Sequence, residues 1–238
     1  MNEKVNRLVV ITQPDFLPWL GSFDKFIKSD VFVFLDDVTN RVSDGIWTKR
    51  VKILVNGTEK WLSVPLKKTA VEFTLINEME IDQRSNFTKK HLLTIENNYR
   101  RAPFFKEALR FIENFYNNKS PKIAVRNASF FMDIMDAMGI KREVHFSSDM
   151  GLKSKRNELL VDIVKRVDGD GYLYGKGSLS YLDFELWNQN NISLIAQNFI
   201  HPEYPQINST DFIPGLSIID ALCNVGIDET KRLFKSAT

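Results

Sequence analysis

Apolar residues in this chain fall into short unbroken runs, separated by longer stretches with helical spacing. Leu8-Val9-Val10-Ile11 is one such run, ending at Gln13-Pro14, and Val31-Phe32-Val33-Phe34-Leu35 is a second, closed by Asp36-Asp37. Uninterrupted runs of this length are the pattern of strands covered on both faces. Between them Trp19, Leu20, Phe23, Phe26 and Ile27 recur at helical spacing, and Pro18 suits a first helical turn. Strand, helix and strand in quick succession predict a βαβ unit, with parallel strands and a right-handed crossover.

The pattern then changes twice. Trp47 to Val55 and Lys60 to Val64 flank Asn56-Gly57, a hairpin signal because Asn-Gly supplies the positive φ angles of a type I′ turn. Val71 to Ile81 alternates in part and predicts a further strand. From about Asn86 to Met138 the spacing turns helical, with Pro103 and Pro121 dividing three helices. The α/β pattern returns with a strand at Glu143–Phe146, a helix from about Ser154 to Val167, and strands at Gly171–Gly175 and Ser193–Ala196. Two short helices, near Leu216–Val225 and Glu229–Phe234, close the chain. The predicted class is α/β, with a mostly parallel, Rossmann-like sheet. Residues 1–238 are read as a single domain, with a hairpin excursion at about 46–81 and a helical insert at about 86–139.

Composition narrows the function classes. With 43% hydrophobic and 26% charged residues the chain has material for a sizeable core. A net charge of +2 with interspersed signs leaves no extended basic field, so nucleic acid is not an expected partner. No run of about 18 uncharged apolar residues occurs, so no membrane span is expected, and the first residues, soon interrupted by Pro14 and Asp15, are not expected to act as a signal peptide. The expected location is cytoplasmic. Cys223 is the single cysteine and His91, His145 and His201 are far apart, so no structural metal site is expected.

Candidate chemistry follows from the predicted sheet. In an open parallel sheet, ligands sit beyond the carboxyl ends of the strands. Those ends are Thr12-Gln13-Pro14-Asp15, Asp36-Asp37, Ser147-Ser148, Gly175-Lys176-Gly177 and the segment Asn198 to Tyr204. The expectation is that they converge on one cavity. Gln13 can bind a phosphate or carbonyl through its amide, or satisfy loop backbone groups. Asp36 and Asp37 can hold sugar hydroxyls or a divalent ion, or cap a turn. The Gly175 loop can cradle phosphate oxygens, although it matches no established fingerprint. Arg50 and Lys52 share one face of the hairpin while Lys49 points to the other, and Lys155 lies in a basic cluster at a helix start. His201, fixed before Pro202, can act as a base near neutral pH, or serve only as a hydrogen-bonding loop residue. Trp19, Trp47 and Trp61 either belong to the core or stack on sugar and base faces.

Several segments carry a family resemblance. Gln13-Pro14-Asp15-Phe16-Leu17-Pro18-Trp19-Leu20-Gly21-Ser22-Phe23-Asp24-Lys25 is similar to the opening signature of the WbqC-like family. So are the segments 30–38, 47–52 and 61–65, Tyr172-Leu173-Tyr174-Gly175, Tyr181-Leu182-Asp183, His201-Pro202-Glu203-Tyr204-Pro205-Gln206 and Phe212 to Asp220. Two positions depart from it: Thr12 stands where the family often has His, and Gly175-Lys176-Gly177 replaces a loop closer to Ser-Gly-Pro-Gly. The layout also looks like nucleotidylyl-transferase-type folds, pantothenate synthetase among them.

The resemblance implies an enzyme of O-antigen or other surface-polysaccharide precursor synthesis. The implied step is transfer of an acyl or aminoacyl (glycyl) group to the amino group of a nucleotide-linked amino-deoxy sugar, with ATP or acyl-CoA as co-substrate. His201, Asp37 and Gln13 are the expected catalytic groups. Asp15, Trp19, Asp36, Trp47, Arg50, Lys52, Ser147, Ser148, Lys155, Gly175, Tyr181 and Tyr204 are the expected binding groups. The expected partners are the nucleotide-linked amino sugar, a small acyl or amino-acid donor and, in a homodimer, a second copy. The alternative is a non-catalytic sugar or nucleotide-sugar binder that organises polysaccharide assembly.

Overall fold

A computed structural model describes residues 5–39, 47–67 and 74–236. In chain order the elements are β1 (Leu8–Thr12), α1 (Leu20–Lys28), β2 (Val31–Phe34), β3 (Arg50–Val55) and β4 (Thr58–Ser63). There follow α2 (Phe87–Tyr99), α3 (Phe105–Asn117), α4 (Ile123–Ala137), β5 (Glu143–Phe146) and α5 (Arg156–Arg166). The chain ends with β6 (Gly171–Tyr174), α6 (Phe184–Gln189), β7 (Ser193–Ala196) and α7 (Ile218–Ser236). None of the described helices is long and apolar enough to cross a membrane.

The described residues divide into two units. The first takes those of Met1–Gln13, Asp24–Asp37 and Lys141–Phe199; the second takes those of Pro14–Phe23, Val38–Ile140 and Ile200–Thr238.

The first unit is built on a five-stranded sheet in the order β5-β2-β1-β6-β7, parallel throughout. The unbroken apolar runs form its middle: all four residues of β2 and the three central residues of β1 are buried. Leu159, Leu160, Ile163 and Val164 of α5 supply covering apolar side chains, and Trp187 of α6 stacks on Tyr172 of β6 at 4.8 Å and 7°. The expected α/β class and parallel sheet are both present.

The second unit holds the hairpin and helices α2 to α4 and α7. Asn56 and Gly57 turn the β3–β4 hairpin with φ of 50° and 75°, the two positive values a type I′ turn requires. Phe16, Phe115 and Phe130 are among its fully buried side chains, and Tyr99 of α2 accepts the Leu54 amide of β3 at 2.9 Å. The helix α7 is broken at Gly226 (φ 76°, ψ 175°), which accounts for two predicted helices where one element runs. A Cβ at Gly226 would come within 2.6 Å of the Phe104 ring, so only glycine fits the break.

One expectation is corrected. Residues 74–81 form no continuous strand but a single 3-10 turn, Ile76–Glu78, and isolated bridges Thr39↔Leu75, Leu66↔Ile81 and Glu80↔Lys122. Each bridge has a different partner segment, so no ladder propagates. Residues 71–73 of that expected strand, and residue 46 at the start of the excursion, lie outside the described residues.

Candidate functional site

In the first unit, β1 lies between β2 and β6, and the order of strands reverses there: β2 and β5 extend to one side, β6 and β7 to the other. Thr12 pairs with Phe34, and the Leu35 amide donates to the Thr12 carbonyl at 2.8 Å. Gln13 therefore follows β1 beside the exit of β2, where Asp36 and Asp37 stand. Gly175 follows β6, the other neighbour of β1. This is the point at which adjacent crossovers diverge and leave a crevice in open parallel sheets.

Asp36 and Asp37 are tied to the turn after β5. The Asp36 amide donates to Ser147 Oγ at 3.1 Å. Ser148 gives both its amide (3.0 Å to Oδ1) and its hydroxyl (2.9 Å to Oδ2) to the Asp36 carboxylate. Ser147 Oγ lies 3.2 Å from Asp36 Oδ1 and also contacts Asp37 Oδ1. A hydroxyl has one proton, so Ser147 serves one of the two carboxylates at a time. Asp36 is buried and occupied by these bonds, whereas Asp37 is half-buried at the rim. Lys155 directly precedes α5 and is exposed. Tyr181 is exposed, with its hydroxyl 2.9 Å from Ser178 Oγ, and Asn157 holds its carbonyl at 2.7 Å.

Two rim residues were not anticipated. A Cβ at Gly175 would lie 2.9 Å from Lys25 Nζ and 3.9 Å from Gln197 Oε1, so both side chains reach the backbone after β6. Gln197 is buried and donates Nε2 to the buried Asp24 Oδ2 at 2.8 Å; its own amide donates to the Tyr174 carbonyl at 2.8 Å. Lys25 closes the segment that resembles the family's opening signature, but a lysine inside a helix does not by spacing alone show a site role, because most such lysines are solvated.

In the second unit, His201 sits in a ring of aromatics. Trp19 is stacked at 6.3 Å and 27°, with Phe212 at 5.3 Å and Tyr204 at 6.3 Å. The Trp19 ring folds back over Gly21, where a Cβ would be only 2.3 Å away. His201 Nδ1 lies 3.1 Å from the Pro202 carbonyl, an acceptor only, so Nδ1 carries the proton and Nε2 the lone pair. Burial holds the imidazole pKa below its ordinary 6.5, leaving it neutral at pH 7. Beneath this ring is a buried carboxyl. Gln206 donates to Asp220 Oδ2 at 2.9 Å and the Tyr204 and Tyr99 hydroxyls face it, yet burial outweighs these bonds and raises the Asp220 pKa.

The loop 14–19, which carries Asp15 and Trp19, is held from several sides within this unit. Asn127 of α4 donates Nδ2 to the Pro14 and Thr48 carbonyls, each at 2.8 Å. The Phe16 amide donates to the Trp47 carbonyl at 2.9 Å, and Leu17 is fixed at φ 41°.

The hairpin face gathers the remaining group. The Arg50 guanidinium lies 4.3 Å from the Trp61 ring centroid and Lys52 Nζ 5.5 Å, with Trp47 packed on Trp61 at 5.3 Å. Lys52 also pairs with Glu59 at 2.8 Å. The core reading of the three tryptophans is overturned: Trp19, Trp47 and Trp61 are 37%, 41% and 44% exposed. Rings of this kind stay at the surface here because cations and neighbouring aromatics cover one face and water the other.

The first unit also has a cavity of about 280 Å³ along β5, lined by Arg7, Glu143, His145, Asp149, Arg166 and Asp168 among others. None of the anticipated site residues lines it. Among the described residues no group of three or more His, Cys, Asp or Glu is placed to hold a metal ion.

The model of the WbqC-like protein family matches residues 13–232. The chain is also 26% identical, over 224 residues, to a Mycobacterium tuberculosis protein named "Uncharacterized protein Rv1507c", a match spanning 93% of this chain and 95% of that relative. No solved structure matches the chain significantly.

Proposed function

The chain belongs to the WbqC-like protein family, and on that premise we propose that it is a cytoplasmic enzyme of surface-polysaccharide precursor synthesis. Its substrate is a nucleotide-linked amino-deoxy sugar. Its reaction forms an amide on the sugar amine with an acyl or glycyl donor, activated as acyl-CoA or by ATP. The supporting observation is the strand order β5-β2-β1-β6-β7, with Gln13, the Asp36–Asp37 pair and Gly175 at neighbouring carboxyl ends. A nucleotide diphosphate is the ligand class such an edge takes in open parallel sheets.

The chemistry assigns roles by proton inventory. The sugar amine attacks the acyl carbonyl carbon; a C–N bond forms and the bond to thiolate or phosphate breaks. The attacking amine must lose a proton, which Asp37 accepts. The Gln13 amide, a donor, stabilises the oxyanion that develops on the carbonyl oxygen. Asp36, held by Ser147 and Ser148, orients the rim. Lys155 and Tyr181 of the same unit contribute binding. The same reading takes the chain as one functional domain and includes assembly as a homodimer.

The test supplies a UDP- or dTDP-amino sugar with glycine and ATP, or with acyl-CoA, and follows product mass. A gain equal to the transferred group is expected. No product with any donor, together with no heat of binding for the nucleotide sugar, defeats the reading.

A second reading rests on the exposed Trp19, Trp47 and Trp61: a non-catalytic sugar or nucleotide-sugar binder using aromatic faces. It is favoured if ligand is returned unchanged and alanine at His201, Asp36 and Asp37 leaves affinity intact.

A further inference from the structure

Lys25 is at the wrong place for an ordinary solvated helix lysine. Its ammonium lies against the backbone of Gly175, at the carboxyl end of the strand beside β1. That approach depends on glycine: a Cβ there would stand 2.9 Å from Nζ and 3.4 Å from Cε. The surroundings are fixed by buried groups. Asp24 accepts Gln197 Nε2 at 2.8 Å and is paired with Lys28 at 3.1 Å. A carboxylate takes only donors, so this bond sets the Gln197 amide with Nε2 toward Asp24 and leaves Oε1 on the side of Gly175. The Gln197 amide oxygen and the Lys25 ammonium thus both lie beside the Gly175 backbone.

The geometry points to Lys25 as the diphosphate-binding cation of this protein, seated over Gly175. The assignment rests on the nucleotide-sugar reading above and names the group that takes its charge. A lysine ammonium is a compact point charge, the form in which lysine binds phosphate oxygens. Its position at the reversal of strand order is where a pyrophosphate lies in sheets of this topology. The glycine leaves the ammonium room against the backbone, and the Lys176 side chain that follows it is exposed on the same loop.

The experiment uses the full chain and calorimetric titration with inorganic pyrophosphate, UDP, dTDP and uridine. Lys25→Met is expected to weaken pyrophosphate and nucleoside-diphosphate binding at least tenfold, with uridine binding unchanged. Gly175→Ala is expected to weaken the same two ligands by displacing the ammonium. Lys90→Met on α2, exposed and in the other unit, removes equal charge and is expected to bind as the wild type does. Thermal melts establish that each variant is folded; where one is not, the other carries the comparison. Equal affinity of Lys25→Met and Lys90→Met for pyrophosphate overturns the assignment, as does absence of pyrophosphate or nucleotide binding by the wild type. The two readings fail separately. Lys25-dependent pyrophosphate binding without any acylated sugar removes the enzymatic reading alone. Wild-type turnover and KM in Lys25→Met remove the lysine assignment alone.

Discussion

The hydroxyl of Ser217 donates a 2.6 Å hydrogen bond to the carbonyl of Leu17, two buried residues 200 positions apart. Leu17 is held at φ 41°, a left-handed conformation that an ordinary side chain disfavours. Ser217 also stands at the start of α7, where the Asp220 amide donates to its carbonyl at 3.0 Å and the Ile218 amide donates to the Pro18 carbonyl at 2.9 Å. The strained loop is thus secured by a helix start. Ser217→Ala leaves a buried carbonyl without its donor and is expected to cost about 1–3 kcal/mol in urea unfolding. A loss below about 0.5 kcal/mol would show that the loop holds its conformation without this bond.

Asn127 offers a sharper comparison, because its two donors face two carbonyls and nothing else in its place can do the same. Asn127→Ala is expected to destabilise by about 2–4 kcal/mol. Asn127→Asp, nearly the same shape, turns an acceptor-only group on the Pro14 and Thr48 carbonyls and is expected to be worse than alanine. Urea midpoints decide; an aspartate variant as stable as the alanine one contradicts the donor assignment.

His91 makes stability depend on acid. It is buried with Nδ1 2.9 Å from the Tyr116 hydroxyl, and burial lowers its pKa from 6.5 to about 4. The unfolded chain therefore binds the proton first as pH falls. The contribution is complete above pH 6.5 and is lost from there down to about pH 4, on the order of 3 kcal/mol in total. Melts of His91→Gln across that range are expected to be flatter than wild type; parallel curves would refute the linkage.

Asp220 acts with the opposite sign. Its folded pKa is raised above the ordinary 3.8 by burial, so the folded chain holds the proton more tightly. Its contribution is complete below 3.8 and declines as pH rises toward the folded value. Asp220→Asn keeps an acceptor for Gln206 and is expected to remove that decline in stability-against-pH curves. A variant that retains the full decline would place its origin in another group.

Part of this architecture was legible in the chain. Strands β1 and β2 announce themselves because both faces of a central parallel strand are covered, and no polar residue interrupts them. Asn56-Gly57 identifies its hairpin because few residue pairs accept two positive φ angles. The break at Gly226 was visible as a gap between two apolar helical faces. The partial alternation near Ile76 misled, since alternation signals half-burial and not a ladder. Nor did residue type separate Trp187, sealed against Tyr172, from Trp19, Trp47 and Trp61 at the surface. Which tryptophan is covered depends on what packs there, and that is not written in its neighbours. Lys25 was missed for the same reason.

Periodicity along the chain, with the turn residues, determined most of the strands and helices and that the class is α/β; the recurring segments pointed to the family. Those are local properties, because burial of one face imposes a period of two or of 3.6 wherever the segment ends up. The tertiary structure alone decided the strand order, the place where it reverses, and the meetings of Asp36 with Ser147 and of Asp24 with Gln197, 111 and 173 residues apart. A hydrophobic pattern states that a face must be buried; it does not state against what.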